Sequence, residues 1–281
     1  MTDFPVELVA LPRTNVLGVG VHAINMSTAV KVIEDAIAER RRGYICVTGV
    51  HGVMEAQRDP AVLRLFANAL LVLPDGMPTV WMGHRQGFRE MDRVFGPDLM
   101  LTIAERSELT RYSHFLCGGQ RGVAEQLRDV LLRRFPSIKI LGTYTPPFRP
   151  LTSAEEAEFL SAVNRLSPDI IWVGMSTPKQ ERFMAQYLPR LNTRLMAGVG
   201  AAFDYQTGRV KDSPRWVKRS GLQWAHRLWQ EPARLWKRYL VNNPQFLLRA
   251  GLQLARVKHY DLQEGDLQSA ADEKLTWLNR A

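Results

Sequence analysis

From Asn15 to Asp204, short and mostly apolar runs alternate with longer stretches whose apolar positions recur every three or four residues. The short runs are Tyr44–Thr48, Leu70–Leu73, His114–Cys117, Ile138–Leu141, Asp169–Val173 and Leu195–Val199. Apolar runs of that length, bounded by glycine, proline or aspartate, read as strands buried on both faces, as in a parallel sheet. The stretches between them predict helices. One is capped at Ser27, carries Val30, Ile33 and Ile37 on one face and ends near Gly43. Others pass through Met54, restart after Asp59-Pro60, form a short helix around Val80, and run from Pro97 to Leu109. A long amphipathic helix reaches Arg134, Thr152 and Glu155 have capping-box spacing, and Pro178-Lys179-Gln180-Glu181 opens a helix to Arg190. Ahead of all these, Asn15 to Asn25 predicts a small strand pair. Strands separated by helices of this length make right-handed βαβ units. The predicted fold is therefore α/β: a Rossmann-like, mostly parallel sheet with flanking helices, plus a basic helical C-terminal appendage.

Ligands of open α/β sheets sit beyond the carboxyl ends of the strands. Here those ends are rich in Gly or Asp-Gly: Asp75-Gly76, Gly118-Gly119, Gly174 and Gly200. Asp75 directly follows a buried strand, so it is either an ordinary turn former or a carboxylate facing the crevice; the glycine-edged strands around it favour the crevice. Gly18-Val19-Gly20 resembles a dinucleotide fingerprint only loosely, since its glycines lie within an extended run rather than between strand and helix.

Charge changes the picture after Gly208. Residues 1–208 carry 23 Lys/Arg against 21 Asp/Glu, residues 209–258 carry 12 against 2, and residues 259–281 carry 2 against 5. Trp216, Trp224, Trp229 and Trp236 fall inside the basic stretch. That divides the chain into an α/β domain (1–208), a basic, Trp-rich helical appendage for membrane and acceptor (209–258) and an acidic flexible tail (259–281). Each Trp alone suits a packed amphipathic helix, but four among Arg and Lys suit an interface with anionic lipid. Nucleic acid is the competing anion, and no nucleic-acid-binding motif accompanies the charge. Cys46 and Cys117 lie in apolar runs and read as buried reduced thiols. The N-terminal run shows no secretory leader, and no apolar run approaches the ~20 residues that span a bilayer.

In order, Asp75-Gly76, Arg93-Val94-x-Gly96, Gly118-Gly119, Pro146-Pro147-Phe148, Gly174 with Pro178-Lys179-Gln180-Glu181, Gly198-Val199-Gly200-Ala201-x-Phe203-Asp204 and the Trp224/Arg227/Glu231-Pro232/Arg234/Arg238-Tyr239 array resemble the WecG/TagA/CpsF glycosyltransferases (glycosyltransferase family 26). The resemblance covers roughly Asn15 to Phe246. It implies a metal-independent, inverting transferase with no cofactor. The donor would be a UDP-sugar carrying N-acetylmannosamine, its uronic acid or another hexose. The acceptor would be a polyprenyl-diphosphate-linked saccharide at the cytoplasmic membrane face. It also implies donor contacts at Gly76, Gly96, Gly118, Gly119, Pro147, Phe148, Gly174, Lys179, Gln180, Glu181, Gly200 and Asp204. The partners that follow are donor, acceptor and an anionic membrane surface, without nucleic acid; a homo-oligomer is left open. The family carries Thr-x-Asn before the Asp-Gly strand, whereas this chain has Val47-Thr48-Gly49-Val50-His51. Whether Thr48 takes the family position, and whether His51 is a cleft group or an ordinary satisfied histidine, stays open.

Inverting transfer needs a base for the acceptor hydroxyl and a stabiliser for the departing diphosphate. Asp75 is the candidate base. No Asp-x-Asp occurs, and Glu90-Met91-Asp92, the nearest pattern, reads as charged surface, so the metal set is empty. Arg93 is then the candidate cation for the leaving charge, unless it merely pairs with Asp92 or Asp98. Gln180 and, more weakly, Thr48 are positioning candidates, and Arg227, Arg234 and Arg238 would meet the lipid diphosphate. The alternatives are a nucleotide-cofactor-dependent oxidoreductase and a non-catalytic membrane or nucleic-acid binder. A hydrolase is disfavoured because Gly174-Met175-Ser176 lacks the second glycine of a nucleophile elbow.

Overall fold

The structure is a computed structural model that describes residues 11–263 and 265. Most of the acidic tail, at 264 and 266–281, lies outside the described residues. Two short strands, β1 (Arg13–Val16) and β2 (Val19–His22), pair antiparallel through a two-residue turn. Leu17 and Gly18 both sit at positive φ there, 52° and 85°, the geometry that matches a hairpin to strand twist. The His22 ring lies against the backbone of Val72. The Gly18 run is thus a hairpin, and a dinucleotide-binding turn does not form there.

Helix α1 (Met26–Ala38) is capped by Asn25, whose Oδ1 accepts from the Thr28 N–H at 3.1 Å, instead of by Ser27. The alternation then proceeds through β3 (Gly43–Thr48), α2 (Val50–Arg58), α3 (Pro60–Ala67), β4 (Leu71–Pro74), α4 (Met77–Arg85) and α5 (Gly96–Thr110). It continues with β5 (Ser113–Gly118), α6 (Val123–Arg134), β6 (Lys139–Tyr144), α7 (Ser153–Leu166), β7 (Ile170–Gly174), α8 (Lys179–Tyr187), β8 (Leu195–Gly198) and α9 (Ala202–Gln206). The Thr152–Glu155 capping box forms as its spacing predicts. The predicted helix to Arg190 ends at Tyr187 and tightens into a 3₁₀ turn, Leu188–Arg190, where Pro189 removes a backbone donor.

Strands β3 to β8 form one sheet in the order β4-β3-β8-β7-β5-β6, every adjacent pair parallel. All their carboxyl ends therefore share one edge. Strand side chains alternate between two apolar layers. Ile45, Leu71, Leu116 and Trp172 face α1, α5 and α6; Tyr44, Val72, Cys117 and Val173 face α2, α3, α7 and α8. Both cysteines are buried and free.

The basic stretch folds into α10 (Arg215–Arg219), α11 (Gln223–Gln230) and α12 (Pro232–Leu254). It is no detached arm: Phe246 and Ala250 of α12 belong to the second apolar layer, and α12 lies along α2. Among the described residues, no helix is long and apolar enough to cross a membrane.

Candidate active site

Asp75 sits where β4 ends, its N–H bonded to the Thr48 carbonyl of β3 at 2.9 Å, and its side chain is 35% exposed. Arg93 reaches it from the segment before α5. Its Nη2 donates to Asp75 Oδ1 at 3.3 Å and its Nε donates to the Asp75 carbonyl. The same Nη2 donates to Gln223 Oε1 at the start of α11. The guanidinium also lies over the Phe95 ring, 4.2 Å from its centroid. The Arg93 guanidinium thus forms its ion pair with Asp75 instead of Asp92 or Asp98, and it ties the candidate base to the C-terminal helices. Asp98, in the first turn of α5, has its carboxyl pushed up by burial, against the pull of Lys218 from α10.

Three further candidates lie beneath this surface. Thr48 is 2% exposed, and its Oγ1 is wedged under α2, where a Cβ on Gly52 would collide with it. Gln180 is also buried: its Oε1 accepts from the Gly200 N–H at 3.1 Å and its Nε2 donates to Glu181 Oε1 at 3.1 Å. It thereby joins the first turn of α8 to the turn after β8. Burial raises the Glu181 carboxyl above the usual range, and Oε2 has no hydrogen-bond partner. All three side chains are buried, and the Thr48 Oγ1, like the Glu181 Oε2, has no hydrogen-bond partner.

His51 is satisfied on both ring nitrogens. Nε2 meets the Thr177 carbonyl at 3.2 Å, and Asn242 Nδ2 of α12 meets Nδ1 at 3.0 Å. Burial, then Arg238 and Arg58, lowers its pKa to about 3. His51 is thus both hydrogen-bonded and at the border of a cavity. Asn242 also accepts from Arg58 Nη2. Around this junction, His51, Glu55, Arg58, Lys237 and Arg238 border a cavity of about 380 Å³.

The C-terminal cations converge on the same edge. Arg227 is buried, stands over the Tyr205 ring at 5.1 Å and donates to Glu231 Oε2 at 2.7 Å. Arg234, mostly exposed, donates to the same oxygen at 2.6 Å. Burial lowers the pKa of Arg238, with Arg227 and Arg234 adding to the effect, and its Nε has no partner. Asp204 lies near Arg234, Arg209 and Arg227, and its burial raises its carboxyl against their pull.

The remaining predicted positions divide. Gly76 caps α4 and abuts Gly49, while Gly96 opens α5 with its Cα against Val199. A Cβ on Gly118 would stand 2.5 Å from the Gly174 carbonyl oxygen, and one on Gly174 would stand 2.8 Å from the Phe203 ring. These glycines let β5, β7 and α9 approach. Gly119 donates its N–H to the Gly174 carbonyl at 2.9 Å, and Gly200 sits at φ +55°. Lys179 is exposed on α8. Pro147 and Phe148 follow β6, at the opposite edge of the sheet from β4; five strand spacings separate them, ~24 Å. Phe148 is 88% exposed. The sequence did not single out Gln223 or Tyr205, whose hydroxyl accepts from Gln223 Nε2 at 3.4 Å. Their only sequence signal is position: Tyr205 follows Asp204, and Gln223 precedes Trp224. Among the described residues, no three His, Cys, Asp or Glu side chains converge as a metal site requires.

Comparison with known proteins agrees with this architecture. Two curated relatives are N-acetylglucosaminyldiphosphoundecaprenol N-acetyl-beta-D-mannosaminyltransferases. That of Bacillus spizizenii is 26% identical over 216 residues, 76% of this chain and 82% of the relative. That of Bacillus subtilis (strain 168) is 26% identical over 228 residues, 80% of this chain and 85% of the relative. Residues 14–260 match the glycosyl transferase WecG/TagA/CpsF family, and the chain belongs to that family.

Proposed function

We propose that the protein is an inverting glycosyltransferase that moves a hexosyl group, N-acetylmannosamine, its uronic acid or another hexose, from a UDP-sugar to a polyprenyl-diphosphate-linked saccharide in cell-surface polysaccharide synthesis. The observation that carries the reading is the meeting of Asp75 and Arg93 at the sheet edge with Gln223, Arg227 and Arg238 from the helical arm. The relatives' names supply the acceptor class. In the proposed step, the acceptor hydroxyl attacks the anomeric carbon and the bond to UDP breaks on the opposite face. Asp75 takes the hydroxyl proton, and the negative charge goes to the diphosphate. Arg93 orients Asp75 in this scheme. The departing charge is met by Arg227, Arg234 and Arg238 and by the amino ends of α4 and α5. Absence of an Asp-x-Asp motif supports transfer without a metal.

The arm would also hold the enzyme at the cytoplasmic face of an anionic membrane. Trp216, Trp229, Leu240, Leu247 and Leu248 are exposed among its cations. Cations near an anionic bilayer contribute on the order of 1 kcal/mol each, and aromatic rings settle at headgroup depth. The test is a screen of UDP-sugars against a short-chain polyprenyl-diphosphate-GlcNAc acceptor in excess EDTA, with and without anionic vesicles. Transfer in EDTA with inverted anomeric configuration supports the reading. Activity abolished by the chelator and restored by Mg²⁺ or Mn²⁺ removes its metal-free element, and no transfer from any UDP-sugar removes the whole.

A further inference from the structure

A second cavity, of about 660 Å³, is lined by parts of the chain segments that also carry Asp75 and Arg93. Its walls are the start of α1, α4, the 86–92 loop and the end of α10. Continuity with the reactive edge is covalent: Met77 lies two residues past Asp75, and Asp92 immediately precedes Arg93. The loop is anchored where it borders the cavity. Asp92 donates its N–H to the Ile24 carbonyl at 3.3 Å, Asp92 Oδ1 accepts from the Arg93 N–H at 2.7 Å, and His84 Nε2 meets the Met91 carbonyl at 2.7 Å.

The chemistry of the lining differs from that of the first cavity. There, Arg58, Lys237 and Arg238 outnumber Glu55. Here two carboxylates, Glu90 and Asp92, line the cavity together with two guanidinium groups, Arg89 and Arg219, the Asn25 amide and the His84 ring, and the half-buried Met77 supplies apolar wall. Formal charge cancels, so a diphosphate would meet as much repulsion as attraction. Carboxylates that accept from vicinal hydroxyls, guanidinium and amide groups that donate to ring and hydroxyl oxygens, and thioether surface against C–H bonds suit a neutral sugar ring.

We infer that this cavity is a sugar subsite, taking the neutral pyranose ring of one of the two substrates, with Glu90 and Arg219 as its specificity-determining groups. The Glu90-Met91-Asp92 segment thereby acquires a role other than metal binding or plain surface. Arg219 comes from the arm, so the subsite is completed only when α10 lies over α4; a Cβ on Gly221, just past α10, would stand 2.6 Å from the Trp81 ring of α4.

The inference rests on the glycosyl-transfer reading, and its test is chosen to fail separately. Saturation-transfer NMR on the full chain would use the methyl glycosides of N-acetylglucosamine and N-acetylmannosamine. Saturation of at least one glycoside is expected, with affinity weakened at least tenfold in Glu90→Gln and in Arg219→Ala. Glu55→Gln, in the cationic cavity, should leave it unchanged. Circular dichroism of each variant checks that the fold is retained. Steady-state kinetics then identify the source of the ring: a KM raised about tenfold for the UDP-sugar assigns the donor's sugar, and one raised for the lipid-linked acceptor assigns the acceptor's saccharide. If the wild type transfers no sugar, the transferase reading falls while the NMR result still decides the subsite. No saturation of either glycoside, or saturation undiminished in both variants, overturns the proposal.

Discussion

The sheet edge and the helical arm meet at one cleft but hold their polar groups by opposite means. On the sheet side, Gln180, Glu181 and Thr48 are almost fully buried; Gln180 and Glu181 are hydrogen-bonded to each other, to Thr177 and to the Gly200 N–H, and Thr48 is held by packing against α2. A buried polar group left unpaired costs roughly 1–3 kcal/mol, so such positions have little freedom to move. On the arm, Arg227 and Arg234 share one carboxylate oxygen of Glu231, and Arg227 leans on an aromatic face. Exposed ion pairs of the Arg234 kind are worth roughly 0–1 kcal/mol. Arg234 can therefore exchange Glu231 for a phosphate oxygen at small cost, whereas the buried Arg227 and the sheet's groups are held by their surroundings. Under the proposed reading, the difference assigns the placement of a proton acceptor to the sheet and adaptable charge to the arm.

The largest expected effect lies on the sheet side. Asp75→Asn should lower turnover by ~10²–10⁴ while UDP affinity and the thermal unfolding midpoint are retained, the range for loss of a general base. Near-wild-type turnover in the folded variant would remove Asp75 from the mechanism and leave the arm as the main source of catalysis.

Next in size is the attachment of the arm. Phe246 is 2% exposed within the apolar layer against α2. Phe246→Ala should cost ~3–5 kcal/mol by urea unfolding, the range for truncating a buried phenylalanine. Trp229, 82% exposed, is the contrasting case. Its replacement by alanine should change stability by no more than ~0.5 kcal/mol and should show in vesicle flotation instead. If Trp229→Ala destabilised as much as Phe246→Ala, the arm's outer surface would be an interface within or between chains, and the lipid reading of it would fail.

Much of this could be read from the residues. Five of the six parallel strands are recognisable because they are buried on both faces and so written mostly in apolar residues; Leu71–Pro74 differs from the predicted Leu70–Leu73 by one residue at each end, whereas the half-buried edge strand β6, Lys139–Tyr144, runs three residues past the predicted Ile138–Leu141. Asp75 at the ligand edge follows from the same pattern, and the clustering of tryptophan with arginine marked the arm. Strand order was not legible, because the crossover from β4 to β5 is a long-range choice. That order is what separates Phe148 from Asp75. Nor was the Arg93–Gln223 bond legible, as it joins residues 130 positions apart. Gln180, Glu181 and Thr48 look like cleft groups in sequence because polar residues near strand ends usually face solvent. Here they turn inward, with Gln180 bonded to the Gly200 backbone and Glu181 to Thr177 and Gln180.

The smallest expected effect separates the two regions by their response to acid. His51 sits on the seam, bonded to Thr177 on one side and Asn242 on the other, with its pKa lowered to about 3, foremost by burial. His22 and His114 are buried on the sheet side, with pKa values lowered to about 3 and about 4, again foremost by burial. A histidine held neutral in the fold binds its proton only after opening. Its contribution to stability is complete above the unfolded value, 6.5, and is lost as pH falls towards the folded one. Opening α12 alone releases His51 alone, so its free energy should fall by at most ~1.4 kcal/mol per pH unit, one proton's worth. Full unfolding releases all three histidines and has up to three times that slope. Hydrogen exchange between pH 6.5 and 5, corrected for intrinsic rates, should therefore show α12 amides losing protection by up to ~10-fold per unit and β7 amides by more. In His51→Gln the α12 slope should flatten while that of β7 keeps the part due to His22 and His114. Identical slopes for α12 and β7 in the wild type would mean that the arm opens only with the sheet, and the mechanical division between the two regions would not exist.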